Sequence, residues 1–218
     1  MRMRKKKHGA ERILACAELL IEDPSVLKDD PTLPFADKEK KLCLEIGCGK
    51  GNFAVGIAAK DTDCNLIAME RVRDVCCLAL EKAMACKESR PDNLRFIIGD
   101  ADNLEEWFAE KCLDVIYLNF SDPWPKAGHA KRRLTHRNYL AKYKKLLKDG
   151  GKLIFKTDNA GLFDFTLEEM EEFGCKIEWM TRDLHNSDRA EGNVMTEYEK
   201  AWSEKGFPIH AVTVKFKE

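Results

Sequence analysis

The 218-residue sequence predicts an α/β fold built on a doubly wound, mostly parallel sheet, and three observations lead there. Seven short, strand-like runs recur along the chain: Leu42–Ile46, Asn65–Met69, Leu94–Ile98, Leu113–Asn119, Lys152–Lys156, Cys175–Met180 and Ile209–Phe216. Helical patterns separate the first five, at Gly51–Lys60, Val72–Lys87, Asn103–Glu110 and His136–Leu147. The last two runs have only a Gly/Asn-rich, charged stretch between them. Strands alternating with helices make parallel βαβ units, and right-handed crossovers then place helices on both faces of one sheet. A final strand without a crossover helix is expected to run antiparallel.

Ahead of the first strand, a helix is expected over Ala10–Glu22, then a connector containing Pro24, Pro31 and Pro34. Residues 1–40 therefore read as a basic tail, helix and connector, and residues 41–218 as a single domain. Hydrophobic residues make up 44% and charged residues 34%, a globular balance rather than the apolar-poor profile of a disordered chain. No apolar run approaches the ~18 residues of a membrane span. The basic start, MRMRKKKH, lacks a following apolar stretch and cleavage site, so no secretory signal is expected. The nine cysteines contain no CxxC and read as reduced thiols of a cytoplasmic protein. The histidines show no metal-ligand spacing, so no metal site is expected.

The formal charge of −1 conceals an asymmetry. Pro123 to Lys148 holds nine Lys or Arg and no acid, while acids gather in Asp164–Glu172. A solvated helix face usually mixes signs. A localised positive field suits a polyanion, and nucleic acid is the expected partner.

In an open parallel sheet, ligands bind outside the carboxyl ends of the strands. The first strand ends Leu44-Glu45-Ile46 and opens into Gly47-Cys48-Gly49-Lys50-Gly51. Glycines there tolerate positive φ and let the backbone approach a ligand. The spacing is GxGxG, with Asn52 where a dinucleotide-binding GxGxxG would have its third glycine. The second strand ends at Glu70, placed to accept hydrogen bonds from ribose hydroxyls, and the third runs into Gly99-Asp100. Acids at Glu45, Glu70 and Asp100 favour a ligand with hydroxyls, an amine and positive charge. S-adenosylmethionine meets that description better than a pyrophosphate-bearing dinucleotide, which would avoid Glu45.

The fourth strand runs into Phe120-Ser121-Asp122-Pro123-Trp124-Pro125-Lys126. Two prolines make this loop stiff and unable to continue a helix or a central ladder. Trp124 is either a core side chain at a corner or a platform for a flat base, and Asp122 can accept from a guanine N–H edge. The acid-free run that follows favours the second reading, since Lys and Arg supply phosphate contacts.

Here the sequence resembles a known family. LEIGCGKG, NFSDPWPKAGHAKRR, FKTDN and TEYE stand in the order found in the bacterial tRNA (guanine-N(7)-)-methyltransferases, and the likeness runs from about Leu42 onward. The resemblance implies a Rossmann-like class I methyltransferase fold, S-adenosylmethionine as methyl donor, and a guanine of the tRNA variable loop as acceptor. By position it implies cofactor contacts at Glu45, Gly47, Gly49, Glu70, Asp100 and Asp122, with Asp122 the catalytic candidate. Substrate contacts are implied at Lys126, Asp158, Thr196, Glu197, Tyr198 and Glu199, and RNA contacts along Gly128, His129, Ala130, Lys131, Arg132 and Arg133. Thr196 and Glu199 also read as an ordinary capping box. The lysines of the His136–Lys148 segment are expected to widen the RNA footprint and the MRMRKKKH tail to add an anchor. Monomer and homodimer both remain open.

Overall fold

A computed structural model describes residues 7–86 and 92–217. Residues 1–6 of the basic tail, and Lys87 at the end of the expected third helix, lie outside the described residues. The strands are β1 Lys41–Ile46, β2 Cys64–Glu70, β3 Leu94–Ile98, β4 Leu113–Asn119, β5 Leu147–Thr157, β6 Cys175–Thr181 and β7 His210–Phe216. The helices are α1 Gly9–Leu14, α2 Asn52–Lys60, α3 Arg73–Ala85, α4 Leu104–Trp107, α5 Arg137–Leu146, α6 Ala160–Glu172 and α7 Glu197–Ser203. One seven-stranded sheet runs in the order β3-β2-β1-β4-β5-β7-β6. The chain divides into two compact units, one up to Ala109 and one from Glu110.

In the first unit β1, β2 and β3 pair in parallel. Residues Leu42–Ile46 are all buried, as are Cys64–Met69, the continuous apolar character of strands covered on both faces. Phe53, Ala54 and Ala58 of α2 and Cys76, Cys77, Ala79, Leu80 and Ala83 of α3 complete this core.

The helix expected over Ala10–Glu22 does not form as one piece. α1 stops at Leu14, and a short 3₁₀ turn, Ala17–Leu19, follows. Leu20 is extended and bridges Phe96 in parallel, with Ile21 N–H donating to Phe96 O at 2.9 Å. Pairing with the edge of β3 thus overrides helical propensity. Arg12 fixes α1 to α3 by a two-pronged contact with Glu81, each bond 2.6 Å. The helix expected over Asn103–Glu110 is also shorter, a 3₁₀ turn Ala101–Asn103 leading into α4. Lys28 Nζ donates to Glu105 O and Phe108 O and meets carbonyls that a helix end leaves without partners.

In the second unit β4 pairs parallel to β5, and β7 is antiparallel to both β5 and β6. The antiparallel strand was expected; its insertion between β5 and β6 was not. One helix was also missed. α6 fills the acidic stretch, started by Asn159 Oδ1 accepting from Leu162 N–H at 2.8 Å and burying Leu162, Phe163, Thr166 and Met170. α7 stands between β6 and β7 and begins where the Thr196–Glu199 capping box marks a helix start. Leu140, Tyr143 and Leu146 of α5 are buried. All nine cysteines are free, six of them buried. Among the described residues, no helix is long and apolar enough to cross a membrane.

Candidate functional site

Each unit brings predicted site residues to the carboxyl ends of its parallel strands. In the first, the chain leaves β1 through a left-handed turn, with φ of +81° at Gly47, +57° at Gly49 and +79° at Gly51. The N–H groups of Gly47 and Cys48 both donate to Met69 O, at 2.8 and 2.9 Å. Gly49 N–H donates to Glu70 Oε2 at 3.1 Å, and Val72 N–H to Glu70 Oε1 at 2.8 Å. Glu70 is therefore held between the loops after β1 and β2 while its remaining lone pairs can still accept hydroxyls. A Cβ placed on Gly47 or Gly49 would meet nothing within 4 Å. That open cradle over positive-φ backbone is the room a ligand's polar end needs.

Asp100 caps the turn after β3, accepting from Asp102 N–H at 3.2 Å, with Arg71 Nη1 4.0 Å away. Glu45 is buried within β1. Burial, aided by neighbouring Glu45, holds the Cys48 thiol well above its ordinary pKa, so it is a neutral filler and not a nucleophile. The residues present fit S-adenosylmethionine: an open glycine turn, a fixed carboxylate able to accept from hydroxyls, and acids suited to a positive charge.

In the second unit, the segment after β4 is tightly constrained. Phe120 N–H donates to Lys156 O at 2.8 Å. Phe120 and Trp124, with φ of +53° and +40°, are bulky residues in left-handed backbone, at a cost of roughly 1–3 kcal/mol each. Asp122 lies between them and is exposed. Beside it the Ser121 hydroxyl is buried with no hydrogen-bond partner among the described residues. Trp124 meets His129 edge-on at 5.8 Å, and the Arg132 guanidinium lies 5.0 Å from its ring centre. Trp124 is thus half-buried between a cation and an imidazole, neither core nor free. Lys126, Gly128, Lys131 and Arg132 are exposed and His129 and Ala130 partly so. Arg133 is turned inward: its Nε donates to Pro123 O at 3.0 Å and its Nη2 to Trp124 O at 3.1 Å.

At the end of β5, Asp158 Oδ2 accepts from the Tyr198 hydroxyl at 3.2 Å, and the rings of Tyr198 and Phe120 lie 5.2 Å apart. Partial desolvation of its hydroxyl, then the Asp158 charge, raises the Tyr198 pKa. The capping box of α7 is complete, with Glu199 N–H donating to Thr196 Oγ1 at 2.9 Å and Thr196 N–H to Glu199 Oε2 at 3.3 Å. Thr196 is half-buried, Glu197 and Tyr198 are exposed, and Glu199 is fully buried.

Sequence reasoning missed what holds Glu199. Lys156 Nζ donates to Glu199 Oε2 at 2.8 Å, Asn193 Oδ1 at 3.0 Å and Val194 O at 3.0 Å. Asn193 Nδ2 and His185 Nε2 reach Glu199 Oε1 at 2.5 and 3.2 Å. The legible signal was a lysine near the end of an apolar strand, Leu153-Ile154-Phe155-Lys156, because a buried ammonium requires partners.

The acids of α6 answer part of the basic run. Arg137 binds Glu169 through its backbone N–H and guanidinium and also contacts Glu172, while Lys148 pairs with Asp114 at 2.7 Å. Among the described residues no group of three His, Cys, Asp or Glu is placed to hold a metal ion.

A family model described as "Putative methyltransferase" matches residues 39–212. A tRNA (guanine-N(7)-)-methyltransferase of Limosilactobacillus reuteri (strain DSM 20016) is 44% identical over 217 residues, covering 100% of both chains. One from Staphylococcus epidermidis (strain ATCC 35984) is 48% identical over 180 residues, 83% of this chain and 82% of its own. Among solved structures, an antibiotic-related methyltransferase shares the fold with a TM-score of 0.61 at 17% identity, over 86% of this chain and 92% of that one.

Proposed function

The chain belongs to the tRNA (guanine-N(7)-)-methyltransferase family, and on that premise we propose that it methylates N7 of a variable-loop guanine in tRNA, with S-adenosylmethionine as donor. The observation that carries this reading is the 44% identity across the whole length of a curated relative. It is supported by a constrained loop that presents Asp122 at the head of the basic stretch Pro123–Lys148, which holds no acid.

Bound S-adenosylmethionine supplies a methyl group on a positively charged sulfur. Guanine N7 carries a lone pair and no proton, so its attack needs no general base. Transfer of that methyl to N7 would leave the positive charge on the purine. The protein's part is to align the two centres and to stabilise a cationic base. Glu70, with both oxygens anchored by backbone N–H groups, would receive ribose hydroxyls; Gly47 and Gly49 would make room for the cofactor, and Glu45 and Asp100 would complete the acidic lining. Asp122 accepts from the guanine N–H edge, contacts the cofactor and stabilises the new charge.

The exposed side chains of the Gly128–Arg133 stretch, together with Lys126 and the lysines of α5, contact RNA phosphate. Asp158, Thr196, Glu197 and Tyr198 contact the nucleotide, and buried Glu199 acts there by fixing α7. The reaction so written calls for no metal ion. Residues 41–218 act as one catalytic domain after the 1–40 extension, in the cytoplasm, as a monomer or homodimer. The test is transfer of labelled methyl from S-adenosylmethionine to unmodified tRNA transcripts, mapped by borohydride and aniline cleavage. One cut in the variable loop is expected; label without a cut would move the reaction to another atom.

A further inference from the structure

Arg133 belongs to the basic run assigned to RNA, but its guanidinium does not face outward. Lys131 and Arg132 are exposed, whereas Arg133 is half-buried, with its face 4.2 Å from the ring centre of Phe165 on α6. Two of its donors are used on the consecutive carbonyls of Pro123 and Trp124. Those carbonyls belong to the segment that carries Asp122, between the left-handed residues Phe120 and Trp124. Pro123 and Pro125 have no N–H, so the segment has little means of bonding to itself.

We propose that Arg133 is a positioning residue, whose guanidinium fork holds the Pro123–Trp124 backbone in its strained conformation and thereby aims Asp122. This rests on the reading that Asp122 acts on the guanine. The guanidinium suits the task because it is flat, offers parallel donors in a fixed fork and stacks on an aromatic ring; an ammonium keeps the charge and loses all three. A phosphate contact, by contrast, depends mainly on charge and contributes about one unit to the salt slope of binding.

Arg133→Lys, Arg133→Ala and Arg132→Ala separate these roles. For R133K the tRNA Kd and its salt slope are expected to stay within twofold of the parent, while the single-turnover rate of 7-methylguanosine formation at saturating tRNA falls tenfold or more. Low-millimolar guanidinium is expected to restore part of the R133A rate and none of the R133K rate. R132A is expected to weaken binding and flatten the salt slope. With 5-fluorotryptophan in all four tryptophans, fluorine NMR of R133K is expected to move the Trp124 line, assigned by W124F, and leave the others. The inference is overturned if R133K flattens the salt slope at an unchanged rate, if a lost rate tracks a lowered Tm without guanidinium rescue, or if the Trp124 line does not move. An unmodified tRNA product from the parent enzyme would refute the functional reading, and the Trp124 line would still decide on the clamp.

Discussion

Lys156 Nζ and Glu199 Oε2 form a buried ion pair 2.8 Å apart, with side-chain exposures of 5% and 0%. The pair joins the end of β5 to the first turn of α7, so Asp158 on one element meets Tyr198 on the other. Removing one partner of a buried pair leaves an uncompensated charge, at about 3–5 kcal/mol. Glu199→Gln keeps a capping-box side chain and removes only the charge. Urea denaturation should show a loss of about 3 kcal/mol or more, and Lys156→Met combined with Glu199→Gln should lose less than the sum of the single variants. An unchanged midpoint in E199Q would mean that the charge is not what holds α7.

Asp122→Asn tests charge stabilisation on the base. The substitution keeps size and most hydrogen bonding while removing the negative charge, and loss of one such electrostatic group costs about 10²–10³ in rate. Single-turnover methyl transfer should fall by that order, with S-adenosylmethionine affinity, measured by calorimetry, changing far less. Equal losses in both would make Asp122 a cofactor ligand only.

Gly51 combines a positive φ with the approach of the α2 start to α3. A Cβ there would lie 2.8 Å from Ala79 Cβ. Gly51→Ala should destabilise by about 2–4 kcal/mol through strain and overpacking together. Adding Ala79→Gly should recover the packing part and leave the φ part. Thermal unfolding of the three variants checks the split, and full recovery would show that the conformation costs nothing.

The basic run divides into residues bound to protein and residues left for RNA. Arg137 is bound to Glu169 and Glu172, and the hydrogen bond from Arg137 holds the Glu169 pKa below its ordinary value. Arg137→Ala should therefore lower Tm and leave the salt slope of tRNA binding intact. Lys131→Ala should do the reverse, weakening binding and reducing the slope by about one. Filter binding from low to moderate salt distinguishes them.

Acid should act on the edge of the second unit. Glu178 is held down at about 2, first by its hydrogen bond to Lys215 and then by Lys152. A carboxylate with a depressed folded pKa stabilises above its unfolded value of about 4.3 and loses that contribution as pH falls toward 2. Glu178→Gln should flatten the Tm-versus-pH curve between about pH 4.5 and 2. A parallel curve displaced by a constant would assign the acid sensitivity elsewhere.

The strands of the first unit were legible because each is a short apolar run that closes on a glycine or an acid, and the glycine turn after β1 and the Pro-Trp-Pro segment were visible as local chemistry. Less legible was whatever depends on distant partners. Leu20 reads as helical until Phe96 offers a backbone edge. α6 was hidden because its acids, Glu169 above all, obscure an apolar stripe and are compensated by Arg137, 32 residues upstream. Arg133 could not be told from Arg132 by sequence, since the difference lies in which way each guanidinium points.

The insertion of β7 between β5 and β6 sets an order of events during synthesis. β6 hydrogen-bonds to β7 and is the last strand in the sheet order, so Cys175–Thr181 has no pairing partner until residues 210–216 have been made. At about 5–20 residues per second that interval lasts about 1.5 to 7 seconds. Through it, Lys176 and Glu178 put opposite charges on an otherwise sticky edge, the usual protection of an unpaired strand against a neighbouring nascent chain. Synonymous codons that slow translation between Thr181 and His210 would lengthen this exposure, lowering soluble yield without altering a single residue of the finished protein.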